Sequence, residues 1–192
     1  MRRGFKAEAE RLAQSVRERQ GLAPDVPVML DAAASELGVR IVPADELVNR
    51  SRLEELERLQ RDAFSAATFR LSDGQYVIVY NPLSRPERQR SDQAHELAHI
   101  FLDHDVRTIE RVGNFQFLTC DHEQEDEANW LGGCLLLPRP LLLKAAHSRL
   151  TPRDVAERYG VTETMARFRL NASGVLVQVG RERARRARRP TS

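Results

Sequence analysis

Residues 86–102 read PERQRSDQAHELAHIFL, and the fold is read outward from this stretch. Ala94, Leu97, Ala98 and Phe101 recur at three- and four-residue steps, which predicts a helix with one buried apolar stripe. On the same helix His95 and His99 stand four residues apart, one above the other, so both imidazoles reach a single metal ion. Glu96 is turned by about 100° from His95 and therefore flanks that ion. There it can take a proton from an attacking water and hand it to a leaving amine. Zinc suits imidazole and carboxylate ligands and keeps a position open for water; another divalent metal such as manganese is the alternative.

Two histidines need a third ligand. The metzincin pattern wants glycine and histidine three and six residues after His99, and Leu102 and Asp105 stand there instead. His104 falls one position short and is expected to end the helix. The other solution is an acid on a second helix, and residues 121–133 (DHEQEDEANWLGG) supply one. Asp121 with Gln124 reads as a capping box, and an acidic first turn suits the positive end of any helix. Glu125 and Asn129 share a face, and Gly132 and Gly133 continue it, allowing this helix to lie close against the first. Spacing favours Glu125 over Glu127 as the ligand, with Asn129 hydrogen-bonding a liganding histidine. Glu123 and Glu127 face each other, and His122 lies at the frayed end.

The flanking sequence alternates helical and extended texture. Residues 5–19, 28–37 and 51–62 read as helices, the last capped by Ser51, with VRIVP (39–43) as a short strand. Residues 64–71 and 75–80 (YVIVY) are β-rich and joined by Ser72-Asp73-Gly74, a hairpin signal. An extended substrate is expected to add alongside the 75–80 strand. Residues 106–119 read as a loop with short strands around Gly113-Asn114. A helix over 122–137 ends at Pro138, and helical signals continue through 140–148, 152–159 and 162–170.

The 192 residues carry 41% hydrophobic and 30% charged side chains, the balance of a globular protein. A net charge of +2 argues against a surface wholly devoted to nucleic acid. That sum joins unlike parts: residues 181–192 hold six arginines and one glutamate, leaving the rest mildly acidic. Cys120 and Cys134 are too few for a disulfide scaffold, and buried free thiols in a reducing compartment are expected. The greasiest stretch, CLLLPRPLLL (134–143), is broken by Pro138, Arg139 and Pro140, so no membrane association is expected. The start of the chain lacks the apolar run of a secretory signal. A cytoplasmic protein is the expectation.

The run from Arg88 to Arg90 and then Ala94-His95-Glu96-Leu97-Ala98-His99 resembles the ImmA/IrrE metallopeptidases. Glu125-Asp126-Glu127-Ala128-Asn129 followed by Leu136-Leu137-Pro138 is similar to that family's second signature, and Val79-Tyr80-Asn81 to its preceding strand. The resemblance spans about residues 25–170. Ala98 replaces a frequent glycine of the motif and Ser91 a common aromatic; neither position is a ligand. The resemblance implies an α+β, zincin-like fold with a small sheet and an active-site helix, followed by a helix-turn-helix-like region. It implies His95, His99 and Glu125 as metal ligands and Glu96 as catalytic acid/base. It implies a protein substrate, a helix-turn-helix repressor of phage, mobile-element, stress-response or toxin–antitoxin type. At this length, the further sensory domain of some members is not expected.

The expected organisation is a peptidase domain over 1–138, a helical helix-turn-helix-like region over 139–175, and a basic, disordered tail over 176–192. Residues 151–170 (TPRDVAERYGVTETMARFRL) have helix-turn-helix cadence, with Arg167 and Arg169 as the side chains to offer base edges. A packing module is favoured there over an operator reader, and the tail adds weak attraction for nucleic acid. The rival to a peptidase is a DNA-binding regulator whose metal site is structural or vestigial. An intact Glu96 favours the peptidase, because a structural site needs no acid/base.

Overall fold

The structure, a computed structural model, describes residues 1–71, 73–104, 108–112, 115–119 and 122–187. The helix expected from residue 86 runs Pro86–Phe101 (α4 in chain order), with proline in its first turn, where the missing N–H is no loss. Ser91, Ala94, Leu97 and Ala98 are its buried side. The helix expected over 122–137 runs His122–Leu136 (α5), and from Glu127 onward only Asn129 is exposed. Leu131, Leu135 and Leu136 are fully buried, and burial of this size is worth about 1.5–3 kcal/mol per side chain.

α5 lies between α4 and the first helix, Phe5–Arg19 (α1), which turns Phe5, Ala9, Ala13 and Val16 inward. The glycine reading of the α4–α5 contact holds at Gly132: a Cβ there would sit 3.1 Å from the Ala94 carbonyl oxygen. The carbonyls ending α5 are met by two buried guanidiniums. Arg17 donates to the oxygens of Cys134 and Leu135, and Arg169 to Leu137 at 3.1 Å. Both sit at the negative end of the helix. Burial pulls Arg17 down to about 10, and Arg169 is balanced by Glu10 at 2.6 Å.

Leu30–Glu36 (α2) precedes Arg40–Pro43 (β1), Arg50–Leu59 (α3), Ala66–Arg70 (β2) and Tyr76–Tyr80 (β3). The sheet order is β1-β3-β2, with β1 parallel and β2 antiparallel to β3. Central placement explains the unbroken YVIVY run: Ile78 packs into the main core, while Val77 and Val79 pack with Ala44, Leu53 and Phe64 on the other face. It also corrects the expected docking of substrate alongside 75–80, because both edges of β3 are already paired. Asn49, not Ser51, caps α3, accepting the Ser51 N–H at 3.0 Å. Thr108–Val112 (β4) and Phe115–Thr119 (β5) form a separate antiparallel hairpin. The Gly113-Asn114 turn, Asp121 and Cys120 lie outside the described residues.

Arg139–His147 (α6), Pro152–Tyr159 (α7) and Glu163–Ala172 (α8) follow. Thr151 and Asp154 close a capping box on α7, Gly160 ends it at φ +61, and Thr162 caps α8. The helix-turn-helix cadence is therefore real as local structure. The boundary expected at residue 138 does not divide the core, for one apolar cluster runs from Phe5 through Leu137 to Val179. The disordered tail is also corrected. Val175–Ala187 is a helix (α9) that buries Val175 and Val179. Arg183 donates to the Ala146 and His147 carbonyls at the end of α6, and Arg139 to Gln178. An i, i+4 apolar pair within the basic stretch supplies the docking face. Residues 188–192 lie outside the described residues. No helix among the described residues is long and apolar enough to cross a membrane.

Candidate metal centre

The close approach at Gly132 brings the inner turn of α4 against the first turns of α5. His95 Nε2 and His99 Nε2 are 3.1 Å apart. Glu125 places one carboxylate oxygen 3.2 Å from the former and the other 3.5 Å from the latter. Three donors around zinc at about 2.0–2.2 Å, in tetrahedral arrangement, are themselves about 3.3 Å apart, so this set matches the edges of such a site. The helix spacing that stacks the histidines also sets their rings edge to face, with centroids 4.7 Å apart. His95, His99 and Glu125 form a group able to hold a metal ion.

The Asn129 amide oxygen lies 3.1 Å from His95 Nδ1, which holds a proton on Nδ1; in the neutral ring Nε2 is then bare toward the centre, and in the protonated ring it donates to Glu125. Burial first, and then the neighbouring His95 charge, holds His99 down at about 4, so its ring is neutral at ordinary pH. Burial also opposes charge on His95, but hydrogen bonding to Glu125 and the charges of Glu96 and Glu125 outweigh it and raise its pKa. The hydrogen bond from His95 holds Glu125 below the usual carboxylate range.

Glu96 stands beside this set and accepts a hydrogen bond from Thr68 Oγ1 at 2.6 Å. Burial raises its pKa against the pull of that hydrogen bond. A carboxylate displaced toward neutrality and fixed by a second residue is suited to taking up and returning a proton.

A sequence model of the Peptidase M78 family, the IrrE N-terminal-like domain, matches residues 34–171. The chain belongs to this family. A Mycobacterium tuberculosis transcriptional regulator of solved structure is similar at a TM-score of 0.52 and 16% identity. That likeness, which covers 83% of this chain and 45% of the regulator, is one of fold; the chain spans less than half of the regulator's length. No curated protein matches the sequence.

In this M78-family chain the predicted residues His95, Glu96, His99, Glu125 and Asn129 converge on one centre. Three contributors were not legible. Thr68 comes from β2, which alternation alone could not aim at Glu96. His104, expected only to end α4, lies with Nδ1 2.9 Å from His99 Nδ1. Glu127, expected to face Glu123, is buried, 3.7 Å from His104 Nε2, and accepts the Arg2 backbone N–H at 3.0 Å. His122 is exposed at the start of α5.

Proposed function

We propose that the protein is a zinc-dependent endopeptidase of the cytoplasm that hydrolyses a peptide bond in a helix-turn-helix repressor. The observation that carries the reading is Glu96, which lies next to the three-donor set without belonging to it and is fixed by Thr68. His95, His99 and Glu125 would hold the ion. When bound, a divalent metal supplies Lewis-acid polarisation and makes water a nucleophile near neutral pH.

Glu96 takes the proton from the attacking water and returns it to the leaving amine. Thr68 keeps one carboxylate oxygen directed. The strand that supplies Thr68 is an edge of the sheet among the described residues. An extended substrate segment would pair along β2, through main-chain hydrogen bonds, and pass Glu96. A repressor as substrate is supported by the family resemblance of both signatures, and manganese is the second candidate for the metal.

The DNA-reading alternative has less support. Arg169 is fully buried and spent on Leu137 and Glu10, and exposed Arg167 is paired with Glu163 at 2.5 Å. Arg181, Arg185 and Arg186 are exposed on α9 and would give weak, salt-dependent attraction to nucleic acid. The test incubates zinc-loaded protein with candidate helix-turn-helix repressors, any encoded beside its gene first. Wild type is expected to cut one of them, and Glu96→Gln to lose about 10²–10⁴-fold in rate while still binding metal. Equal cleavage by both proteins discards this mechanism; specific DNA binding without cleavage supports the regulator.

A further inference from the structure

α4 ends in a way that returns the chain onto its own last turn. Asp103 adopts φ +49, a left-handed conformation that aspartate tolerates better than most residues. The Asp103 N–H bonds the Ile100 carbonyl at 3.1 Å, and the His104 N–H bonds that of His99 at 3.1 Å. This is a Schellman motif, in which the residue after the left-handed position packs on the residue five before it. Here the pair usually filled by two apolar side chains is His104 and His99. Their Nδ1 atoms are 2.9 Å apart and their ring centroids 5.0 Å apart.

Only one proton fits between two imidazole nitrogens at that distance. If His104 supplied it, the His99 proton would sit on Nε2, directed at His95 and Glu125, and would block the donor set. His104 would then present a bare Nε2 to the Glu127 carboxylate, 3.7 Å away, lone pair against negative charge. If His99 Nδ1 donates instead, both conflicts vanish: His99 Nε2 is bare toward the centre and His104 Nε2–H faces Glu127. Both ends of the chain select the same tautomer. Glu127 is itself anchored by the Arg2 backbone N–H at 3.0 Å and by its guanidinium at 3.4 Å.

We infer that His104, backed by Glu127, is a positioning residue that fixes the His99 ring and its tautomer so that Nε2 is presented to the metal. The inference rests on the metal-dependent reading above. His104 does for His99 what Asn129 does for His95, through a helix-ending turn instead of a neighbouring helix.

The experiment measures zinc affinity by competition with a chromophoric chelator, and the visible spectrum of the cobalt-substituted protein. Wild type, His104→Leu, His104→Asn and Glu127→Gln are compared, with thermal melts of each metal-free protein. His104→Leu keeps apolar bulk but has no acceptor, and is expected to weaken zinc binding by about 10–100-fold and to alter the cobalt spectrum. In His104→Asn the amide oxygen takes the place of Nδ1, and most of the affinity and the wild-type spectrum are expected to return. Glu127→Gln should fall between them. Wild-type affinity in His104→Leu overturns the inference, as does rescue by leucine but not asparagine. Should His104→Leu fail to fold, unaltered affinity in Glu127→Gln overturns it. Absence of zinc binding by wild type would instead remove the metal-dependent reading, and the inference with it.

Discussion

The α4–α5 pair and the α7–α8 pair both present polar side chains at helical spacing, yet they end differently. On α4 and α5 the polar residues of each helix meet those of the other: His95 finds Asn129 and Glu125, and His99 lies against Glu125. On α8 the arginines spaced to read a groove are diverted. Arg169 turns inward to the end of α5, its guanidinium 5.4 Å from the Trp130 ring centre, and Arg167 folds back on Glu163. Spacing decides which residues share a face. What stands opposite that face decides whether it becomes a site, a buried brace or solvated surface. The helix-turn-helix shape here braces the helix that carries Glu125.

That contrast can be broken by substitution. The largest effect is expected at Arg169, since Arg169→Ala strands Glu10 and the Leu137 carbonyl; a loss of about 3–5 kcal/mol in denaturant unfolding is expected. A neutral result would mean that α8 does not brace α5. Next comes acid sensitivity of the metal-free protein. His99 titrates at about 4 when folded and near 6.5 when unfolded. Between those values the unfolded chain binds more protons, so this contribution to stability falls as pH drops from about 6.5 toward 4. Burial lowers His104 in the same sense, whereas the raised pKa of His95 acts oppositely. Urea titrations at pH 7 and pH 5 should show a steeper loss in wild type than in His99→Gln; equal slopes would deny His99 its buried, neutral state.

Gly132→Val should cost about 1–3 kcal/mol by overpacking and also weaken zinc binding, because it prises α5 from the Ala94 carbonyl. Unchanged zinc affinity would show that the donor set survives without the close approach. The smallest effect belongs to Arg167→Ala, an exposed i, i+4 pair worth about 0.3–0.5 kcal/mol. Specific DNA binding that disappears in this variant would restore the operator-reading role to α8.

The helices and strands were largely legible because their signals are local: an apolar stripe at 94, 97 and 98, the YVIVY run, Pro138 and the Gly160 stop. The α9 helix is the exception, because its docking face is a single apolar pair, Val175 and Val179, set in an arginine-rich stretch. His95, Glu96 and His99 followed from a single helix turn, and Glu125 with Asn129 from a single helix face. Sequence by itself therefore determined which groups can act together within one element. Only the tertiary structure decided what meets across elements: Thr68 on Glu96, His104 and Glu127 behind His99, Arg169 inside instead of outside, and β3 at the centre of its sheet. The physical reason is range. Helical and strand periodicities fix side-chain direction over a few residues, whereas a hydrogen bond across 28 positions, as from Thr68 to Glu96, depends on how whole elements pack.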